Sequence, residues 1–230
     1  GNDGLSKEFY EKFWPVISDP LIKSYNASFQ YGELSSSQRQ AVIMLMAKEG
    51  KDREKLTNWR PISLLNVDYK ILTKTLCLRI RDYLPKLIHP NQTGFVKGRC
   101  INDANRVIQD IMAISDQMDE KGIMLCVDFQ KAFDSVEIGF IKSALNRFNF
   151  GEIFIKWFSI LYNNISSCII NNGTSSRYFQ VTRGVRQGDP LSPYLFVFAL
   201  ELLATNIRNN PNIKGFKFQS QEIKLSSYAD

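Results

Sequence analysis

A single histidine, His89, stands among 230 residues, and the four cysteines, Cys77, Cys100, Cys126 and Cys168, lie at least 23 residues apart. With no CxxC pair and no second imidazole, a zinc ribbon or finger lacks its ligands. A Ser-His-Asp or Cys-His centre would have to use His89, which sits between Ile88 and Pro90 at an expected helix exit, a surface position without a nucleophile motif. No apolar run approaches the ~20 residues of a membrane span, since residues 191–200 are interrupted by Ser192 and Pro193. The first 30 residues carry Lys, Glu and Asp throughout, so no secretory leader is read there. The thiols are expected to be reduced and mostly buried, in an intracellular protein whose compartment, nucleus or cytoplasm, is open.

What is present is an ordinary globular composition, 44% apolar and 23% charged, which excludes collagen and disorder. Charge is unevenly placed. Residues 39–99 hold 13 Lys and Arg against 5 Asp and Glu, a local net of +8 in a chain of +6, so the remainder is −2. Such a block fits a phosphate or nucleic-acid surface; it also fits a solvated helix face, as the alternation of Lys51, Asp52, Arg53, Glu54 and Lys55 does. Arg60, Lys70, Lys74, Arg79, Arg81, Lys97 and Arg99 have fewer acidic neighbours and are the better phosphate candidates.

Helices and short strands interleave without an internal repeat. Tyr69, Leu72, Leu76, Ile80 and Tyr83 recur at helical spacing behind a capping Asp68 and end before Pro85. Residues 122–129 read as a buried strand, an unbroken apolar run that delivers Asp128 at its end. Ile138, Ile141, Leu145 and Phe148 mark a helix, residues 154–162 another, and residues 167–181 a hairpin around Asn171, Asn172 and Gly173. Residues 191–207 form a long apolar helix behind Pro190 and Pro193, and 213–218 with 221–227 form two strands joined near Ser220. This order predicts an α+β fold rather than a doubly wound parallel sheet.

Three constellations carry chemistry. In residues 125–136 a strand presents Asp128 and, six residues on, Asp134, an arrangement that suits a hard cation; read structurally, Asp128 closes the strand and Asp134 caps the next helix. In residues 182–193, Gly184, Gly188, Pro190 and Pro193 make a backbone that can approach a flat ligand, with Arg186 and Gln187 as donors, or an ordinary loop and helix start. The third is Tyr228-Ala229-Asp230 after a hairpin, a weak signal alone.

Together and in this order these segments resemble a reverse transcriptase of the LINE-type, non-LTR retrotransposon family. The likeness begins at Gly1-Asn2-Asp3-Gly4-Leu5, with Glu8-Phe9-Tyr10 and Phe13-Trp14. It continues through Asn58-Trp59-Arg60-Pro61-Ile62-Ser63-Leu64-Leu65-Asn66, Tyr69-Lys70-Ile71-Leu72 and Asn91-Gln92-Thr93-Gly94-Phe95-Val96-Lys97-Gly98-Arg99, which are similar to fingers motifs. Residues 128–136, 183–193 and 228–230 resemble the first palm motif, the glutamine-glycine motif and the start of the tyrosine-x-aspartate-aspartate motif.

The resemblance implies a right-hand polymerase, with fingers and an N-terminal extension motif over residues 1–120 and an antiparallel palm sheet with packed helices over 121–230. It implies an RNA template, a DNA primer, deoxynucleoside triphosphates, two Mg²⁺ ions with Mn²⁺ as an alternative, the rest of a retrotransposon polyprotein, and no membrane. By the same likeness Asp128 and Asp230 are the catalytic metal ligands, helped by the Phe129 carbonyl. Phe133 blocks a 2′ hydroxyl unless it is a core residue, and Gln187 and Gly188 line the nucleotide pocket. Arg60 and Lys70 touch the triphosphate, although Arg60 also fits a structural contact in its own turn, and Lys97, Arg99 and Arg186 contact nucleic acid.

The sequence departs from the pattern in three places. Only the first aspartate of the terminal pair is present, which predicts a fragment of a longer polyprotein, inactive in isolation. Ala47 replaces a usual proline and Gln130 a common acidic residue. Besides the polymerase, a decayed or domesticated fragment that binds nucleic acid without polymerising is compatible with the sequence, whereas an RNA-dependent RNA polymerase is disfavoured by Phe133.

Overall fold

A computed structural model describes residues 1–218 and 221–229. In chain order the elements are α1 (Lys7–Tyr31), α2 (Ser36–Arg39), β1 (Gln40–Ala47), β2 (Trp59–Leu65), α3 (Val67–Arg81), α4 (Leu84–Leu87), α5 (Ile101–Met118) and α6 (Ala132–Ser135). After these come α7 (Ile138–Arg147), α8 (Glu152–Leu161), β3 (Ser166–Asn171), β4 (Thr174–Ser175), β5 (Phe179–Gln180), α9 (Ser192–Asn209), β6 (Phe216–Phe218) and β7 (Gln221–Ile223). The α+β expectation holds.

The main sheet has the order β2-β1-β3-β4, with β5 also on β3. It is mixed: β1 runs antiparallel to β2 but parallel to β3, with Gln40 opposite Ser166 and Met44 opposite Ile170. Antiparallel pairing, as expected of a palm sheet, holds for every described strand pair but β1–β3, and the main sheet draws strands from both sides of residue 120. β1 is central in the sheet; of its apolar run Ala41-Val42-Ile43-Met44-Leu45-Met46, Ala41 and Val42 are buried while Met44 and Met46 face solvent.

Below the sheet lies one apolar core. Tyr69, Leu72, Leu76 and Ile80 of α3 are buried, as their spacing predicts, while Tyr83 is exposed. Asn66, not Asp68, holds the N-cap position of α3; Asp68 sits in the first turn, where its carboxylate accepts from the Tyr69 amide and from Gln38 Nε2 at 3.0 Å. Ile141, Ala144 and Leu145 of α7 pack with Leu195, Val197, Phe198 and Ala199 of α9, and the Phe198 ring stands edge-on to Phe148 and Phe150 at 5.1 and 5.0 Å. Helix α1 closes the far side, with Phe29 against Trp157 at 5.1 Å and the Tyr25 hydroxyl donating to the Asp68 carbonyl at 2.7 Å.

Residues 122–129 are not the buried strand the apolar run predicts. Ile123 is 99% exposed and Leu125 82%, and the segment has no regular structure. A strand apolar on both faces needs a ladder neighbour and a cover for its side chains, and no described strand pairs with it. The terminal strands are also shorter than expected, three residues each, and the junction at Ser220 lies outside the described residues. Cys77 and Cys168 are buried, but Cys100 and Cys126 are exposed, contrary to a mostly buried set. His89 is exposed as expected, its Nδ1 accepting the Asn91 N–H at 3.2 Å. No helix among the described residues is long and apolar enough to cross a membrane.

The α7–α9 contact generates a stability prediction. Leu145 is fully buried, so Leu145→Ala should lower the unfolding free energy by about 2–5 kcal/mol through a residual cavity. Phe140→Ala, on the exposed face of the same helix, should cost about 1 kcal/mol or less. Urea denaturation midpoints at unchanged slope are the measurement.

Candidate active site

The segment carrying Asp128 reaches α6 through a tight turn in which Lys131 adopts φ 51°. The turn is held from outside. Gly184 N–H donates to the Val136 carbonyl at 2.8 Å, Val185 N–H to the Phe133 carbonyl at 2.7 Å, and Arg183 pairs with Glu137 at 3.0 Å. This approach needs a glycine: at φ 84°, a Cβ on Gly184 would lie 2.8 Å from both Asp134 Cα and the Asp134 carbonyl. Further along the same loop, Ser63 N–H of β2 donates to the Gln187 carbonyl at 3.0 Å, and a Cβ on Gly188 would meet the Ser63 carbonyl at 2.7 Å. One loop thus ties the 133–136 turn to the β2 edge.

Side chains follow the same wiring. Gln187 Nε2 donates to Asp134 Oδ1 at 2.9 Å, and burial raises the Asp134 carboxyl above its ordinary range despite that bond. Phe133 is half-buried, stacked on Phe196 at 4.9 Å with its ring met edge-on by Phe95 at 6.2 Å. These rings make it a packing contact of the turn. Gln187 is half-buried and Gly188 exposed, so the expected nucleotide-pocket pair borders solvent beside Asp134.

Asp128 is exposed and makes no ion pair among the described residues, and Phe129 beside it is 39% exposed. Arg60 is exposed on β2 and Lys70 half-buried on α3, both without an acidic partner among the described residues. Lys97 is exposed and lies 3.4 Å from Asp82. Asp230 lies outside the described residues. No group of three or more His, Cys, Asp and Glu forms a metal cage among the described residues.

Two expected nucleic-acid contacts are turned inward. Arg99 donates to four backbone carbonyls, those of Pro85 at 3.0 Å, Ile88 at 2.9 Å, His89 at 2.7 Å and Gln92 at 2.8 Å. A planar fork with five N–H donors suits such a knot of carbonyls, and the motif gave no sign of it. Arg186 is 4% exposed; it donates to the Arg39 carbonyl and lies 5.1 Å over the Tyr69 ring. Beside it Asp189, 3% exposed, accepts from the Leu191 amide at 3.1 Å and from the Tyr69 hydroxyl at 3.4 Å, and burial raises its carboxyl. Arg186 is thus buried away from any phosphate, while half-buried Arg99 has both terminal nitrogens engaged with carbonyls.

A family model described as reverse transcriptase (RNA-dependent DNA polymerase) matches residues 47–230. The chain is 34% identical over its whole length to a Xenopus laevis protein named Transposon TX1 uncharacterized 149 kDa protein, of which it covers 18%. It is 30% identical, over 81% of its length, to a Popillia japonica retrovirus-related Pol polyprotein from type-1 retrotransposable element R2, of which it covers 26%. The chain belongs to the reverse transcriptase family, within its non-LTR retrotransposon branch. That family is divalent-metal dependent, and the chain spans about a fifth to a quarter of the length of these relatives.

The inward Arg99 yields a test that separates support from contact. Arg99→Lys keeps the charge but cannot span four carbonyls, so unfolding free energy should fall by about 2–3 kcal/mol while RNA affinity and its salt dependence stay unchanged. Weaker RNA binding at unaltered stability would return Arg99 to the phosphate surface.

Proposed function

We propose that this chain is the fingers (residues 1–120) and palm (residues 121–230) of an RNA-directed DNA polymerase that extends a DNA primer on an RNA template with deoxynucleoside triphosphates. The observation that carries this reading is the joining of β2, the 133–136 turn and the 183–188 loop around Phe133, in a chain of this family.

The donors present fit Mg²⁺ or Mn²⁺. Asp128 offers an exposed carboxylate without a competing cation among the described residues, the Phe129 carbonyl adds a second oxygen, and no thiol or imidazole softens the set. Asp128 and Asp230 would hold two ions. When bound, they supply activation of the primer 3′ hydroxyl and neutralisation of the triphosphate and leaving group. The protein residues position and select. Arg60 and Lys70 place positive charge for the triphosphate, with exposed Lys97 on the template-primer side. Gln187, held by Asp134 and Ser63, fixes the floor at Gly188 on which a nucleotide rests. Phe133, backed by Phe196, presents a rigid ring where a 2′ hydroxyl would project. In-line phosphoryl transfer needs no protein nucleophile, which suits a chain whose one histidine is engaged with the Asn91 amide.

Two substitutions test these roles. In a chain extended through the rest of the palm and thumb, Asp128→Asn keeps the volume and removes the charge, so it should reduce Mg²⁺-dependent primer extension by at least ~100-fold with the melting transition unchanged; extension at the parental rate would overturn the assignment. Phe133→Ala should raise ribonucleotide over deoxynucleotide incorporation by roughly 10-fold or more, read as the ratio of kcat/KM values. A drop in stability with unaltered discrimination would make Phe133 a core residue only.

A further inference from the structure

The loop 91–95 carries a set of contacts that the proposed chemistry leaves unused. Gln92 is 2% exposed, and its single Oε1 accepts two backbone N–H groups, that of Gly94 at 2.8 Å and that of Ala229 at 2.9 Å. Around it the loop pairs with the end of the chain as a short parallel bridge, Gln92 opposite Ser227. Ser227 N–H donates to the Asn91 carbonyl at 2.9 Å, Thr93 N–H to the Ser227 carbonyl at 2.9 Å, and the Thr93 hydroxyl to the same carbonyl at 3.2 Å. Asn91 Nδ2 donates to the Leu225 carbonyl.

A second observation, steric and independent of these bonds, points to the same residue. A Cβ on Gly94 would lie 2.7 Å from Ala229 Cβ and 2.8 Å from Ala229 N, so residues 94 and 229 meet at a distance only glycine permits. Ala229, 1% exposed, is held at φ 54°, a left-handed conformation that costs a non-glycine residue about 1–2 kcal/mol and persists only where its surroundings over-determine it. The oxygen of Gln92 and the bare face of Gly94 supply that determination. The next residue in sequence is Asp230.

We propose that Gln92, with Gly94 as its steric partner, is a positioning residue for the catalytic aspartate: it locks the backbone of residues 227–229 and so fixes the stem from which the Asp230 carboxylate reaches a metal ion. The inference rests on the reading of Asp230 as a metal ligand. It gives the Asn-Gln-Thr-Gly segment a role at the reaction centre without contact to substrate.

Amide hydrogen exchange without divalent metal reads the lock itself, and primer extension across a Mg²⁺ titration, in a chain extended through the rest of the palm and thumb, reads its consequence. In Gln92→Ala, exchange at residues 227–229 should accelerate about tenfold, the loss of roughly one net hydrogen bond, while α7 and α9 keep their protection. The same variant should need more Mg²⁺ for half-maximal extension and show a lower kcat at unchanged KM for deoxynucleotide. Gln92→Glu, whose carboxylate accepts the same two N–H groups, should restore both readouts. Gly94→Ala should reproduce the Gln92→Ala pattern, and Ala229→Gly in that background, which removes the nearest clash and tolerates the same φ, should partly reverse it. Unchanged exchange at 227–229 in both Gln92→Ala and Gly94→Ala overturns the lock. Faster exchange with an unaltered Mg²⁺ requirement and kcat overturns the positioning role. Asp230→Asn separates the underlying reading: with the lock still protected, retained extension means that Asp230 is not a metal ligand and the positioning role falls with it.

Discussion

Everything at the candidate site hangs on the close approach of one loop backbone to two others. Residues 183–188 hydrogen-bond to the 133–136 turn on one side and to Ser63 of β2 on the other, at separations that exclude a Cβ at Gly184 and Gly188. Because these are main-chain bonds, the spacing between the two partners is set by peptide geometry rather than by the rotamers of long side chains, and peptide geometry hardly yields. The aromatic pair Phe133 and Phe196 fills the space behind this junction, so the turn cannot relax inward.

Charges in this part of the molecule divide into those that support and those that face outward. Arg99, Arg186 and Asp189 are spent on carbonyls, an aromatic face and amides. Burying such groups is tolerable only where partners replace water, and it makes the surrounding backbone costly to rearrange. Among the cations of residues 39–99, Arg60, Lys74, Arg79 and Lys97 are exposed and Lys70 is half-buried, whereas Arg99 is engaged with carbonyls.

Periodicity made the helices α3, α7, α8 and α9 and the 166–180 hairpin legible, because each has an apolar stripe of the right period or a turn signal between its strands. It failed for residues 122–129 for a physical reason: an apolar run reports what a strand would need as neighbours, and no described strand supplies them. Helix α1, with Pro15 and Pro20 inside it, escaped notice because two prolines normally argue against a 25-residue helix. At the site, residue types singled out Asp128, Asp134, Arg186 and Gln187, whereas the role expected of Phe133 came from the resemblance. They could not separate Arg99 from a phosphate ligand, since four carbonyls converging on one guanidinium is a tertiary fact that leaves no mark on the residues around it. Gln92 was visible only as part of a motif, its task unreadable until residue 229 was seen beside it.

The parallel pairing of β1 with β3 carries a kinetic implication. Gln40 and Ser166 are neighbours in the sheet, yet 126 residues separate them along the chain. At ~5–20 residues per second a ribosome adds that length in roughly 6–25 seconds. During that interval one edge of β1 stays unpaired, its methionine-rich apolar run open to solvent as a template for another strand. The nascent chain therefore passes through a window in which that open edge can pair with another chain before its own partner strand exists.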